Sequence, residues 1–302
     1  MRGSEETAGD WGGAGIVPCM RSLLVGALLV PMLAASGQVV VNNYGPPKDS
    51  TVLGSTFVDW DSLAVKTTPV GEMRAVFDNP TATLDKLEVH ISTLNPGKSS
   101  HPVHRHAWEE MLLVKDGEVD VSINGKKQHA GPGALIFFAS NDPHNATNVS
   151  SKPATYYVIN FVTDKVLTAP DKAASEQAVP GMLASSVFDC NSMAPTATKT
   201  GSHVTVVSSP TLTFRALESH ISTLNVGQST AKDVVDPGDE LVVIKSGEVE
   251  MTVNEVASRM NAGSLLYWAP NDKRMVRNVG TTPASYQVIR VNSDRSPKAA
   301  GS

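Results

Sequence analysis

His90-Ile91-Ser92-Thr93-Leu94-Asn95 returns residue for residue as His220-Ile221-Ser222-Thr223-Leu224-Asn225, and this offset of 130 positions organises the chain. Working outward, the same offset pairs Pro80 with Pro210, Gly97 with Gly227 and Gly117-Glu118-Val119 with Gly247-Glu248-Val249. It continues without a gap through Gly133 and Gly263, Asn141-Asp142 and Asn271-Asp272, and Asn148-Val149 and Asn278-Val279, ending near Val158-Ile159 and Val288-Ile289. Register held over that length marks a duplicated domain. The joint is the Ala-, Pro- and charge-rich stretch from Thr168 to Gly181.

Each repeat has an all-β texture. Short apolar or alternating runs (Met111 to Val114, Val119 to Ile123, Ala134 to Phe138, Thr155 to Phe161) are separated by Lys115-Asp116-Gly117, Asn124-Gly125, Gly131-Pro132-Gly133 and Asn141-Asp142-Pro143. Turn residues at that spacing, with no long segment of helical period, predict a sandwich or small barrel. Asn124-Gly125 predicts a tight hairpin, because both central residues of that turn need positive φ.

Within the first repeat, His104-Arg105-His106 sets two imidazoles on one face of a strand. Glu110 follows after three residues, and His144 stands on a later strand, four residues before Asn148. Three imidazoles and one carboxylate suit a borderline divalent transition metal: Mn, Fe, Co, Ni, Cu or Zn. Four protein ligands leave positions open on an ion that prefers five or six. Glu109 competes with Glu110 for the carboxylate role. It becomes Asp239 in the second repeat while Glu110 becomes Glu240, so Glu110 is the expected ligand and Glu109 a rim carboxylate.

Gly97, His104, His106, Glu110 and Gly117, followed by Pro132-Gly133, His144 and Asn148, resemble the two motifs of the cupin superfamily. The resemblance implies two tandem jelly-roll β-barrels (RmlC-like) related by the internal repeat, a bicupin with one complete metal motif. The domain boundaries expected are a leader over 1–37, a linker over 38–50, an N-terminal metal-binding barrel over 51–166, a linker over 167–181, a C-terminal barrel over 182–294 and a tail over 295–302. Oxalate decarboxylases resemble the chain in being duplicated but carry metal motifs in both halves, and ureidoglycine aminohydrolases carry theirs in the C-terminal half. This chain follows neither arrangement.

The second repeat is an internal control. Its counterparts of the four ligands are Val234, Asp236, Glu240 and Arg274, and a guanidinium cannot ligate a cation. Arg274 is therefore expected to reach the vacated centre and pair with Glu240 and Asp236. His90 and His220 occur in both repeats, which assigns them to the scaffold. His101 becomes Ala231 and so belongs with the first site, as a group beside the ligands or facing substrate. Trp108 and Phe138 share that candidacy, with barrel packing as the competing role for aromatics on these strands. His129 beside its turn is expected to be exposed. His203 has no assigned role.

The bulk numbers narrow the partners. The chain has 25 Lys and Arg against 30 Asp and Glu, for a net charge of −5, and no basic cluster. That balance argues against nucleic acid. Met20-Arg21, the apolar run Leu23 to Leu33 and the small residues Ala34 to Gly37 read as a secretory signal peptide, too short to span a bilayer. Translation then starts at Met1 or Met20, and the mature chain is exported, with no membrane attachment after cleavage. Of the two cysteines, Cys19 falls in the leader, leaving Cys190 as a packed apolar thiol without a disulfide partner.

Two functions remain open. One is a metal-dependent enzyme of dioxygenase or lyase type acting on a small oxygenated molecule, with Glu110 also the candidate catalytic base. The other is a non-catalytic ligand- or sugar-binding protein whose metal is structural or grips the ligand. A homodimer is among the assemblies that the resemblance implies.

Overall fold

A computed structural model describes residues 39–42, 45–167 and 179–297. The leader with Cys19, most of the 167–181 linker and the last residues of the tail lie outside the described residues. The rest is built of short strands and single 3-10 turns. Among the described residues no helix is long and apolar enough to cross a membrane.

Each repeat folds into a barrel of two facing sheets. In the first, a seven-stranded sheet has Glu109–Asp116 near its middle, flanked by Leu135–Phe138 and Ala154–Val162, with Lys86–Leu94 and Gly71–Asn79 beyond. The facing sheet runs Val40–Asn42, His104–His106, His144–Asn148, Val119–Ile123, Lys126–Ala130. Asn124 and Gly125 join its last two strands with φ of 50° and 76°, the tight hairpin the dipeptide predicts. Gly117 also sits at positive φ (77°), and a Cβ there would lie 2.6 Å from the Ala154 Cα.

The apolar runs are buried on both faces. Leu112, Val114, Tyr156 and Val158 point into the first barrel. Their chain neighbours Met111, Leu113, Tyr157 and Ile159 point the other way, into a core shared with Leu241, Val243, Tyr267 and Ile289 of the second barrel. Such two-sided burial explains why these strands are continuous apolar runs instead of alternating ones. Each such side chain contributes on the order of 1.5–3 kcal/mol by leaving water. The two seven-stranded sheets thus pack back to back, and Cys190 lies buried between them.

Two departures from the sequence expectation stand out. The segment 38–50, expected as a linker, contributes Val40–Asn42, which pairs in parallel with His104–His106. The repeat boundaries also do not coincide with the barrels. Thr56–Val58 pairs with Leu265–Tyr267 of the second barrel, and Ser186–Phe188 pairs with Leu135–Phe137 of the first. Each repeat lends its leading strand to close the other's sheet, covering an edge that would otherwise expose unpaired backbone.

Candidate metal centre

Strand alternation places the four expected ligands. His104 and His106 point inward from a three-residue strand whose central Arg105 is less buried. Glu110 points inward from Glu109–Asp116, and His144 opens its own strand directly opposite His104. All four are buried, and their ligand atoms lie within 4.8 Å of one another.

The imidazoles are oriented from behind. His106 Nδ1 is 2.8 Å from the Trp108 carbonyl and His144 Nδ1 is 2.7 Å from the Asp142 carbonyl, so each carries its proton on Nδ1. His104 Nδ1 lies 2.6 Å from His101 Nδ1, which is itself 3.0 Å from the Pro102 carbonyl. In His106 and His144 the engaged Nδ1 leaves Nε2 for the centre, the arrangement by which outer partners fix a metal-binding tautomer. His106 Nε2 is 3.3 Å and His144 Nε2 3.8 Å from the two oxygens of Glu110. His144 Nε2 is also buried without a hydrogen-bond partner, a costly state for a polar atom that an ion would relieve.

Electrostatics prepare the same donor set. Burial, with His101, His144 and His106 beside it, holds the His104 imidazole down at about 3, and burial holds His144 at about 4. Burial also opposes ionisation of Glu110, but the His106 hydrogen bond and the neighbouring imidazoles bring its carboxyl down to about 2. At neutral pH His104 and His144 are thus uncharged donors beside a negatively charged Glu110, so the residues fit a divalent ion.

The centre opens into a cavity of about 520 Å³. Trp108 lies flat on His106, centroids 4.1 Å apart, and Phe138 stacks on His144 at 4.1 Å. Both aromatics and His101 line the cavity, as does Asn42 from the segment expected to be a linker. The aromatics therefore pack the ligands and face the cavity at once. His90, assigned above to the scaffold, also lines this cavity, although it is not among the four ligands. Strand alternation carries it inward while Val89 and Ile91 enter the shared core.

Glu109 corrects a second expectation. It is 1% exposed and faces away from the centre, accepting hydrogen bonds from Thr211 Oγ1 (2.6 Å), Thr213 Oγ1 (2.7 Å) and the Leu212 amide (3.1 Å) of the other repeat. Adjacent residues of a strand face opposite sides, so a carboxylate beside an inward ligand enters the inter-barrel face and not the rim. Asp239 mirrors it, accepting from Thr83 Oγ1 and, at 2.6 Å, from the Tyr267 hydroxyl. Asn148 and Asn278 are both fully buried backbone clamps; Asn148 Nδ2 donates to the Leu94 and Lys152 carbonyls at 2.8 Å. His129 is exposed beside Asp120, and His203 lies 4.9 Å from the ring of His220.

In the second barrel Arg274 does turn into the vacated centre. Its Nη1 bonds Glu240, and its Nη2 lies 3.6 Å from Asp236. Arg290, which sequence reasoning passed over, joins it: Nε is 3.1 Å from Glu240, and Nη1 is 2.9 Å from Asp236 and 3.0 Å from Glu218. Arg290 stands at the position of Asn160. In the first barrel Asn160 is flanked in register by Glu88 on one side and Glu110 on the other. Its Nδ2 donates to Glu88 at 2.6 Å, while its Oδ1 accepts from Trp108 Nε1 at 3.0 Å. Extending the 130-residue comparison past the motifs to Glu88, Asn160 and their counterparts would have found this row.

A cupin domain family model matches residues 90–160 and again residues 220–290. Among solved structures, the chain is similar to the putative glyoxylate induced protein from Pseudomonas aeruginosa (TM-score 0.64, 13% identity, covering 87% of this chain and 98% of that one). It is similar also to AerE from Microcystis aeruginosa (TM-score 0.59, 13% identity, 78% and 98%). A third is the Lactobacillus farciminis oxalate decarboxylase in a formate complex (TM-score 0.59, 14% identity, 83% and 89%). Likeness at that identity shows the fold alone. No curated protein sequence matches the chain.

Proposed function

We propose, from the premise that this chain belongs to the cupin superfamily as a bicupin with one complete metal motif, that its first barrel is a metal-dependent enzyme site acting on a small oxygenated molecule. The observation that carries this is the convergence of three imidazoles, two of them with Nδ1 engaged and Nε2 turned to Glu110, on an ionised carboxylate lining a cavity large enough for a small molecule. His104, His106, Glu110 and His144 would hold a divalent transition ion from the range Mn to Zn. When bound, such an ion polarises oxygen atoms of the substrate, which serves lyase and oxygenase chemistry alike. Trp108 and Phe138 keep the ligand rings in place and exclude water from two sides. Glu110 is also the carboxylate placed to take a proton from a bound substrate.

The test begins with elemental analysis of the purified protein, where one ion per chain is expected. A panel of small carboxylic acids and polyols, oxalate included because a similarly folded protein acts on it, is then followed by CO2 release and dioxygen uptake. Turnover that disappears in His104→Ala with folding retained supports the enzyme. A chain that holds its ion and turns over nothing in the panel is instead a binding protein. Export and a homodimer belong to the same proposal. The mass of the mature chain from the culture fluid or periplasm, and its sedimentation, test them.

A further inference from the structure

The cavity that holds the four candidate ligands is also lined by His90, whose partner Glu88 lines an adjoining pocket. His90 and Glu88 are alternate inward residues of Lys86–Leu94, and Glu88 Oε1 lies 2.7 Å from His90 Nδ1. The other oxygen of Glu88 accepts from Asn160, which is held in turn by Trp108, the residue stacked on the ligand His106. Glu88 is therefore fixed at both oxygens, and His90, fixed at Nδ1, keeps Nε2 for the cavity it lines.

We propose that His90, oriented by Glu88, is a substrate-contact residue that donates from Nε2 to a small carboxylate whose other oxygens face the metal centre. The inference rests on the reading of the first barrel as a metal site. A divalent ion held by one carboxylate and three imidazoles keeps one uncompensated positive charge, and the His90–Glu88 pair adds a hydrogen-bond donor beside it without adding net charge. Lys66 and Glu72 at the cavity rim offset each other. A small anion is the occupant that this balance selects. Burial pulls the His90 imidazole down, but the hydrogen bond and charge of Glu88 more than offset it and hold His90 above its usual range. The second barrel shows the alternative. There Arg290 takes Glu218, the counterpart of Glu88, and His220 is left beside His203 and two guanidiniums; burial first, then those neighbours, lower it to about 4.

The experiment uses the full chain loaded with Co(II), whose visible spectrum reports the ion's surroundings, titrated with glycolate and with its neutral counterpart ethylene glycol. Glycolate is expected to bind and shift the spectrum. His90→Gln should weaken glycolate at least about tenfold, as loss of a hydrogen bond to a charged group does, with Co(II) content unchanged. Glu88→Gln should weaken it in the same direction, ethylene glycol should show no such dependence, and His220→Gln should bind glycolate as the wild type does. Equal glycolate affinity in His90→Gln, or no glycolate binding by the Co(II)-loaded wild type, overturns the inference while leaving the metal site standing. A wild-type chain that takes up no Co(II) sinks the metal reading, and this inference with it. Thermal unfolding of both variants separates lost contact from lost fold.

Discussion

Two rows of side chains, one in each barrel, occupy the same place across three neighbouring strands: Glu88, Asn160, Glu110 in the first and Glu218, Arg290, Glu240 in the second. Both end in carboxylates. In the first the centre is an amide, and the inner carboxylate is left to three imidazoles. In the second the centre is a guanidinium that reaches both ends, and Arg274 reaches in from the position of His144. Two fixed positive charges thus stand where a divalent ion would bring two. The cavity shrinks accordingly, from about 520 Å³ to about 210 Å³. The comparison teaches that where the imidazoles are absent the buried carboxylates stand beside guanidiniums instead. The carboxylates that remain buried need cations, or each would cost several kcal/mol.

The strongest way to sharpen this contrast is to impose the second row on the first. His144→Arg with Asn160→Arg should abolish metal uptake while the barrel still folds; elemental analysis and calorimetry read the two halves of that outcome. Retained metal would break the comparison. Next in size, Glu240→Ala leaves Arg274 and Arg290 buried without their shared partner. About 3–5 kcal/mol of stability should go, a drop of about 10 °C in Tm. Glu110→Ala in metal-free protein should cost much less, because no guanidinium depends on it.

A third contrast concerns the inter-barrel carboxylates. Burial raises Glu109 to about 7, although Thr211, Thr213 and the Leu212 amide oppose the shift. Because the folded value lies above that of an exposed glutamate, the stability it contributes is full below pH 4.5 and is lost as pH rises through 7. Chelated wild type should therefore lose roughly 2–3 kcal/mol between those limits, and Glu109→Gln should flatten the curve. Smallest is a turn. Asn124-Gly125 and Asn254-Glu255 are equivalent hairpins, and Glu255 is held at φ of 77°, where only glycine is unstrained. Glu255→Gly should raise stability by about 1 kcal/mol, while Gly125→Glu should lower it by a similar amount.

The legible part of the molecule was what repeats or alternates. The 130-residue register disclosed the duplication, Asn124-Gly125 its hairpin, and the spacing from His104 to His144 the ligand set that the structure brings together. What stayed hidden depends on partners far away in the chain. Nothing near Glu109 announces Thr211 and Thr213, and a second acid beside a ligand reads equally well as a rim group. Asn160 lies beyond the motifs, and its change to Arg290 acquires meaning only when Glu88 and Glu110 are seen on either side. The recurrence of His90 in both repeats reads as scaffold, yet recurrence of a residue says nothing of whether its carboxylate neighbour is free to serve it.

The exchanged strands bear on how far either half can stand alone. Ser186–Phe188 completes the sheet that carries Glu110, and Thr56–Val58 completes the sheet that carries Glu240. A gene trimmed to either repeat would encode a barrel missing a stave. Each half is thus a structural part of the other's barrel, whatever chemistry either one carries.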